Sequence, residues 1–252
     1  MFNFPDVTLL ITHYNRSSSL ERLLKAFTHL GCQFGDIVVS DDGSKPEHLL
    51  RLQEIKEVYP YRLVGTPVNK GLGNNINKGQ DAVKTPFTLY VQEDFVPQPI
   101  FPAHFETALS LMHRSDDLDM VRFYAYFQYP YLKPVEGGYS EMVFNFTDPG
   151  YKKFYYYSDH PHLRRSTFFE KFGRYPEGIK VEATEYQMMI SFLKKKGKAL
   201  QYEDCKALFD QLNSPDEPST VQRNMWRGNK NPAVSFIRHL YRHLKFNYNY
   251  LR

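Results

Sequence analysis

The sequence predicts an α/β fold, a mostly parallel sheet flanked by helices, with an aromatic-rich insertion and a basic C-terminal helical extension. Three observations carry that expectation. Short, β-branched apolar runs alternate with segments of helical period over the first hundred residues. The connections are long enough for the crossovers that parallel strands need. Each apolar run also ends in a polar cluster, and sheets of this kind bind ligands beyond the carboxyl ends of their strands.

The elements follow in order. Val7–Ile11 reads as a buried strand. A helix comes next, with Leu20, Leu23, Leu24 and Phe27 at i, i+3, i+4 and i+7, and Ser18 with Glu21 matches a capping box. The second strand, Asp36–Ser40, runs into Asp41-Asp42-Gly43-Ser44, and Pro46 opens a helix to about Glu57. Tyr61–Val64 is the third strand, Gly71–Lys84 holds the third helix, and Phe87–Val91 is the fourth strand, ending at Gln92-Glu93-Asp94. Met120–Phe127 suits a further strand. A later helix spans about Ala183–Lys196, with cations in its last turn and Gly197 as its cap. Asn213–Pro232 reads as a mobile loop or linker, so the expected division is a domain over 1–212 and an extension over 213–252.

Composition narrows the function classes. With 42% apolar and 24% charged residues, the 252-residue chain suits one or two soluble domains. A net charge of +4 is too mild to imply a nucleic-acid partner. No apolar stretch approaches the ~18 residues of a membrane span, and the first residues lack a secretory pattern. Cys32 and Cys205 are the only cysteines, so a reduced, cytoplasmic setting is expected. Between Phe123 and Tyr157, fourteen of thirty-five residues are Phe or Tyr. Most of these rings suit core packing, and a few suit stacking on sugars. From Val234 onward Arg238, Arg242, Lys245 and Arg252 accompany Phe236, Ile237, Leu240, Tyr241 and Leu244, with no acid. That pattern fits a docked helix with solvated cations, or peripheral contact with an anionic membrane, on its inner face if the chain is cytoplasmic.

Val7–Arg16, Ile37–Ser44, Asn69–Asn77 and Thr88–Asp94, with the helix ending at Gly197, resemble in order and spacing a family 2 glycosyltransferase of the Rossmann-like GT-A fold. The likeness covers about residues 5–100 well and 160–200 loosely. It implies an inverting transferase that takes a nucleotide-diphospho-sugar, most simply UDP-linked, and uses Mg2+ or Mn2+. It further implies a glycan or lipid-linked acceptor and a place in surface-polysaccharide or glycolipid assembly. Thr12, Tyr14 and Arg16 would hold the base and a phosphate, and Asp41, with Asp42, would meet the base or ribose. Lys70, Gly71 and Asn74 would face an anion at a helix start.

Gln92-Glu93-Asp94 falls at the family's Asp-x-Asp metal motif, but its first Asp is replaced by Gln92. Asp94 is then the expected metal ligand and Glu93 or Gln92 a ribose or water-mediated contact, with His160 and His162 as weaker metal candidates. The family's Glu-Asp pair, which supplies the base, falls on Glu185-Tyr186. The base is therefore Glu185 or, one turn earlier, Glu182. Arg164 and Arg165 would meet an anionic acceptor. Each cluster also has a plain structural reading, as a turn, a helix entry or an acidic helix start. Two rival functions stay open: a catalytically degenerate domain that binds sugar nucleotide or glycan, and a nucleotidyltransferase.

Overall fold

A computed structural model describes residues 1–213, 217 and 232–252. In chain order its elements are β1 (Phe2–His13), α1 (Ser17–His29), β2 (Cys32–Asp41), α2 (Pro46–Val58), β3 (Arg62–Gly65), α3 (Leu72–Asp81) and β4 (Phe87–Gln92). There follow β5 (Phe95–Pro97), α4 (Phe101–Arg114), β6 (Met120–Arg122), β7 (Leu132–Pro134), β8 (Tyr139–Met142), β9 (His162–Arg165) and α5 (Phe168–Phe172). The last are α6 (Val181–Lys194), β10 (Ala199–Tyr202), β11 (Phe209–Gln211) and α7 (Pro232–Leu251), and a 3-10 turn lies at Tyr151–Phe154.

Nine strands form one sheet in the order β3-β2-β1-β4-β9-β6-β10-β8-β7, and β5 pairs with β11 apart from it. Pairing is parallel between β1 and β2, β1 and β4, β2 and β3, and β6 and β10. Only β9 and β8 run against the rest, so the sheet is mostly parallel as expected. Side chains alternate along β1. Leu9 and Ile11 join a core layer with Leu20, Leu23 and Phe27 of α1 and with Phe101 and Phe105 of α4. Leu10 joins the opposite layer with Ile76 of α3 and with Met188, Met189 and Phe192 of α6. Period-two alternation thus buries the sheet on both faces, at about 1.5–3 kcal/mol for each fully buried large side chain.

Three local expectations are corrected. The strand at Met120 stops at Arg122, because the Phe123 and Ala125 amides donate to the carbonyls of Pro161 and Cys205 rather than to a neighbouring strand. No capping box forms at α1: its cap residue is Arg16, without a side-chain cap, and Glu21 pairs with Arg51 instead. Past α6 the left-handed residue is Lys196, at φ 54°, and not Gly197. Gly197 is required there for space, since a Cβ would lie 2.5 Å from the Phe192 ring.

Most of the expected linker between Asn213 and Pro232 lies outside the described residues. The C-terminal segment is helical, and its Phe246 and Tyr250 pack on Phe154. No described helix is long and apolar enough to cross a membrane.

Candidate functional site

Register sets the strand ends level. Thr12 lies beside Gln92, His13 beside Asp41, and Asp41 beside Gly65. The loop after β1 touches both acidic clusters: the His13 imidazole lies 2.8 Å from Asp41, and the Arg16 guanidinium lies 3.3 Å from Asp94. The polar ends of the first four strands therefore share one edge, as parallel winding requires.

The motif carboxylates on that edge face inward. Asp41 is almost fully buried and accepts from the Ser44 amide (3.0 Å) and hydroxyl (2.5 Å) as well as lying against His13. Burial pushes its carboxyl up, and those hydrogen bonds outweigh it, so the net shift is downward. Asp42 accepts from the amides of Lys70 (2.8 Å) and Gly71 (2.9 Å), and burial raises its carboxyl. Both therefore hold loops together, Asp41 its own turn and Asp42 the Asn69–Gly71 loop. Both sit on the edge where a base or ribose contact is expected of them, and the contacts the structure shows there are those to the loops. Gly43 makes the loop contact feasible: at φ 70° it lies so close to Val68 that a Cβ would come within 2.4 Å of the backbone.

Thr12 is buried, with its hydroxyl 3.1 Å from that of Tyr90. Tyr14 stays half-exposed at the same strand end, and Lys70 is exposed. Gly71 precedes α3 at φ 86° with nothing close to its α-carbon, and the Asn74 amide donates to Glu177 at 2.7 Å. An anion could still approach the α3 entry from the Lys70 side.

A divalent cation was expected at Asp94. Asp94 is the carboxylate that would hold it, and a cation there would draw its other oxygens from the diphosphate of a bound nucleotide. The Asp94 carboxylate already accepts from Gln211 (2.9 Å) and faces the buried Arg16 guanidinium, which also lies 3.8 Å from Glu93. Burial, then the Asp94 charge, pushes Glu93 up to about 8. Among the described residues no three His, Cys, Asp or Glu side chains gather to hold a metal.

His160 and His162 do not complete such a site either. His160 packs on Phe95, Tyr124 and Tyr126, and burial lowers it to about 3; His162 is fully buried against Tyr90 and also held neutral. Arg164 is corrected too. It is fully buried, donating to Gln80 and Tyr175 between aromatic rings, while Arg165 donates to the carbonyls of Met112, Ser115 and Leu118. Both brace the core and neither faces an acceptor.

A second cluster adjoins the first. Glu185 on α6 is half-buried and accepts from the Asp159 amide at 3.1 Å. Asp159 is buried: Tyr157 donates to its Oδ1 at 2.9 Å, and its Oδ2 has no partner. Burial, reinforced by the neighbouring Asp159 carboxylate, pushes Glu185 up to about 7, and burial lifts Asp159 to about 6. Arg122 tempers the Glu185 shift.

Sequence reasoning missed Asp159. Nothing in its spacing marks it, and only the fold brings Ser158–His162 between Phe95 and α6. Glu182 lies one turn before Glu185 and raises its carboxyl slightly by charge. Tyr186, at the position of the family's aspartate, accepts from Asn249 of α7 at 2.7 Å and stacks on Phe246.

Comparison with known proteins agrees with this architecture. The glycosyl transferase family 2 model matches residues 8–176. No curated protein sequence matches the chain. Among solved structures, S. aureus TarS 1-349 in complex with UDP-GlcNAc is 15% identical, with a TM-score of 0.59 over 86% of this chain and 62% of that one. The mannosyltransferase PcManGT from Pyrobaculum calidifontis, in complex with GDP-Man and Mn2+, is 14% identical, with a TM-score of 0.59 over 95% of this chain and 64% of that one. At these identities the likeness is one of fold, and the chain spans less than two thirds of either structure. With the family model spanning well over half of its length, and the sheet and strand-end edge laid out as described, the chain belongs to glycosyl transferase family 2.

Proposed function

We propose that the chain is an inverting transferase, moving a sugar from a nucleotide-diphospho-sugar, UDP-linked in the simplest case, to a hydroxyl of a glycan or lipid-linked acceptor. The observation that carries the reading is Glu185, half-buried with a carboxyl near neutrality, bonded to Asp159 beside the nucleotide edge. The two neighbours were solved with nucleotide sugars, UDP-GlcNAc and GDP-Man, which supports a donor of that class.

In this reading the acceptor oxygen attacks the anomeric carbon as its proton passes to Glu185 Oε, and the bond from that carbon to the diphosphate oxygen breaks on the opposite face. The nucleoside diphosphate leaves with the electron pair. Thr12 and Tyr14 border the donor, and the α3 entry with Lys70 offers an anion-facing loop. Arg16 would meet the departing charge in this reading, and its pairing with Asp94 keeps it oriented at the edge. No step is routed through Mg2+ or Mn2+; Asp94 would be the protein ligand, and the cation would supply charge neutralisation of the departing diphosphate.

Tyr186 in place of the family's aspartate favours a second reading, a domain that binds sugar nucleotide without turnover. One assay separates the two. The chain is incubated with UDP- and GDP-sugars over a panel of acceptors, and nucleoside diphosphate release is followed together with binding. Release that disappears in Glu185→Gln supports transfer. Tight binding without release supports the silent domain, and pyrophosphate release would mark a nucleotidyltransferase.

A further inference from the structure

Helix α7 is apolar on two faces, and the described residues pack on only one of them. Phe246 and Tyr250 turn inward onto Phe154, Tyr151 and Tyr186. Phe236, Ile237, Leu240, Tyr241, Leu244 and Leu251 point outward and are 50% to 70% exposed. At 3.6 residues per turn these six fall within an arc of roughly 140° and extend about 22 Å along the helix. A soluble surface rarely carries so continuous an apolar stripe without a use.

Arg238, Arg242, Lys245 and Arg252 follow along one flank of that stripe, and residues 232–252 contain no Asp or Glu. The Arg242 guanidinium lies over the Tyr151 ring and the Lys245 ammonium over those of Tyr186 and Tyr241, while Lys245 and Arg252 stay exposed at the surface. A second copy of the chain is a poor occupant. A two-fold contact through this face would bring its cationic flanks together with no acid on the helix to offset them.

We propose that the outward face of α7 seats the protein on an anionic phospholipid bilayer, with the stripe at the acyl boundary and the cations among the headgroups. A wide apolar face, an adjacent basic flank and tyrosine at the rim are the features of a helix lying in the interface plane. Basic side chains next to such a surface add attraction that salt weakens. The proposal needs no nucleotide and stands apart from the sugar-transfer reading.

The experiment is flotation of the full chain with vesicles of phosphatidylcholine containing about 30% phosphatidylglycerol, against phosphatidylcholine alone. Partition is expected to be about tenfold stronger on the anionic vesicles and to fall with added salt. Leu240→Asp combined with Leu244→Asp should lose about tenfold while melting like the parent, because both side chains are exposed. Lys245→Ser with Arg252→Ser, which spares the apolar stripe, should lose less and become about half as sensitive to salt, since Arg238 and Arg242 remain. Equal partition onto neutral vesicles, or no partition onto either, overturns the proposal. Self-association that the double aspartate variant abolishes also overturns it, by assigning the face to a second copy.

Discussion

The strand edge of the first half and the cluster between β9 and α6 use carboxylates in opposite ways. On the edge, Asp41 accepts two hydrogen bonds from Ser44 of its own turn and Asp42 accepts two from the neighbouring Asn69–Gly71 loop, and these bonds build the cradle. In the cluster, Asp159 keeps one oxygen without a partner, and Glu185 takes a single backbone amide. The satisfied pair serves structure, while the under-satisfied pair is pushed toward neutrality by burial. Proton transfer needs a group whose charged and neutral forms lie close in energy. Asp41 and Asp42, both in a recognisable motif, hold loops in place, whereas the carboxylate shifted with Glu185 is Asp159, which no motif marks.

The largest expected effect tests the second half of that comparison. Glu185→Gln should lower the turnover rate by roughly 10^2 to 10^4 with little change in nucleotide affinity. The parent's rate should rise with pH through about 7, because Glu185 must be ionised to take a proton. A variant that keeps the parent's rate and pH profile would break the assignment, and Glu182→Gln is then the next candidate.

Stability carries the opposite sign. Asp159 and Glu185 hold their protons more tightly folded than unfolded, so the stability they contribute is complete below their ordinary values of 3.8 and 4.5. It is lost as pH climbs through about 6 to 7. The melting temperature should therefore decline across that window, and Glu185→Gln should flatten the decline.

Arg16→Ala ranks next. It removes the buried cation that faces Asp94 and leaves that carboxylate with Gln211 alone. A cost of about 3 kcal/mol in stability is expected from breaking a buried pair on one side, together with a loss of nucleotide affinity. Calorimetric titration of UDP and GDP with and without Mn2+ sharpens the point: affinity that depends on Mn2+ in the parent would support Asp94 as a metal ligand. Asp42→Asn should be milder, about 2 kcal/mol, from loss of the charge-assisted bonds to Lys70 and Gly71, read by denaturant unfolding.

The first half was legible because its signals are local. Apolar runs of four to six residues, a proline at a helix start and a Gly-Ser turn each act within a few positions, and the four strands fell in their expected places. The roles of Asp41 and Asp42 were not legible. A carboxylate after a strand reads the same whether it faces solvent or accepts from a neighbouring loop, and Val68–Gly71 reaches Asp42 only through the fold. Arg164 shows the same limit, since an arginine pair near a candidate acceptor side is also an arginine sandwiched between Phe168 and Phe169. Asp159 was out of reach for a related reason: besides the nearby Tyr157, its surroundings come from Arg164 on β9 and Glu185 on α6, which only the fold brings to it.

The smallest expected effect concerns Glu217, where the two halves of the chain meet. Its carboxylate accepts from the amides of Ser18 and Ser19, both at 2.9 Å, and from the Ser19 hydroxyl at 2.5 Å. It thereby fills the N-terminus of α1 that no local side chain caps. Its own backbone carbonyl accepts from Arg16 at 3.1 Å, so the cap and the edge cation share one segment. Burial pushes the Glu217 carboxyl up, the serine donors outweigh it, and the net shift is downward. Its stabilisation is therefore present above the ordinary value of 4.5 and is lost as pH falls through the depressed folded value. Glu217→Gln keeps one oxygen acceptor but turns an amide toward backbone N–H groups and removes the charge that favours the helix dipole. About 1 kcal/mol should be lost at neutral pH. The gap to the parent should close in acid, where the native carboxyl is protonated too, and a gap that stayed constant with pH would assign the effect to shape rather than to charge.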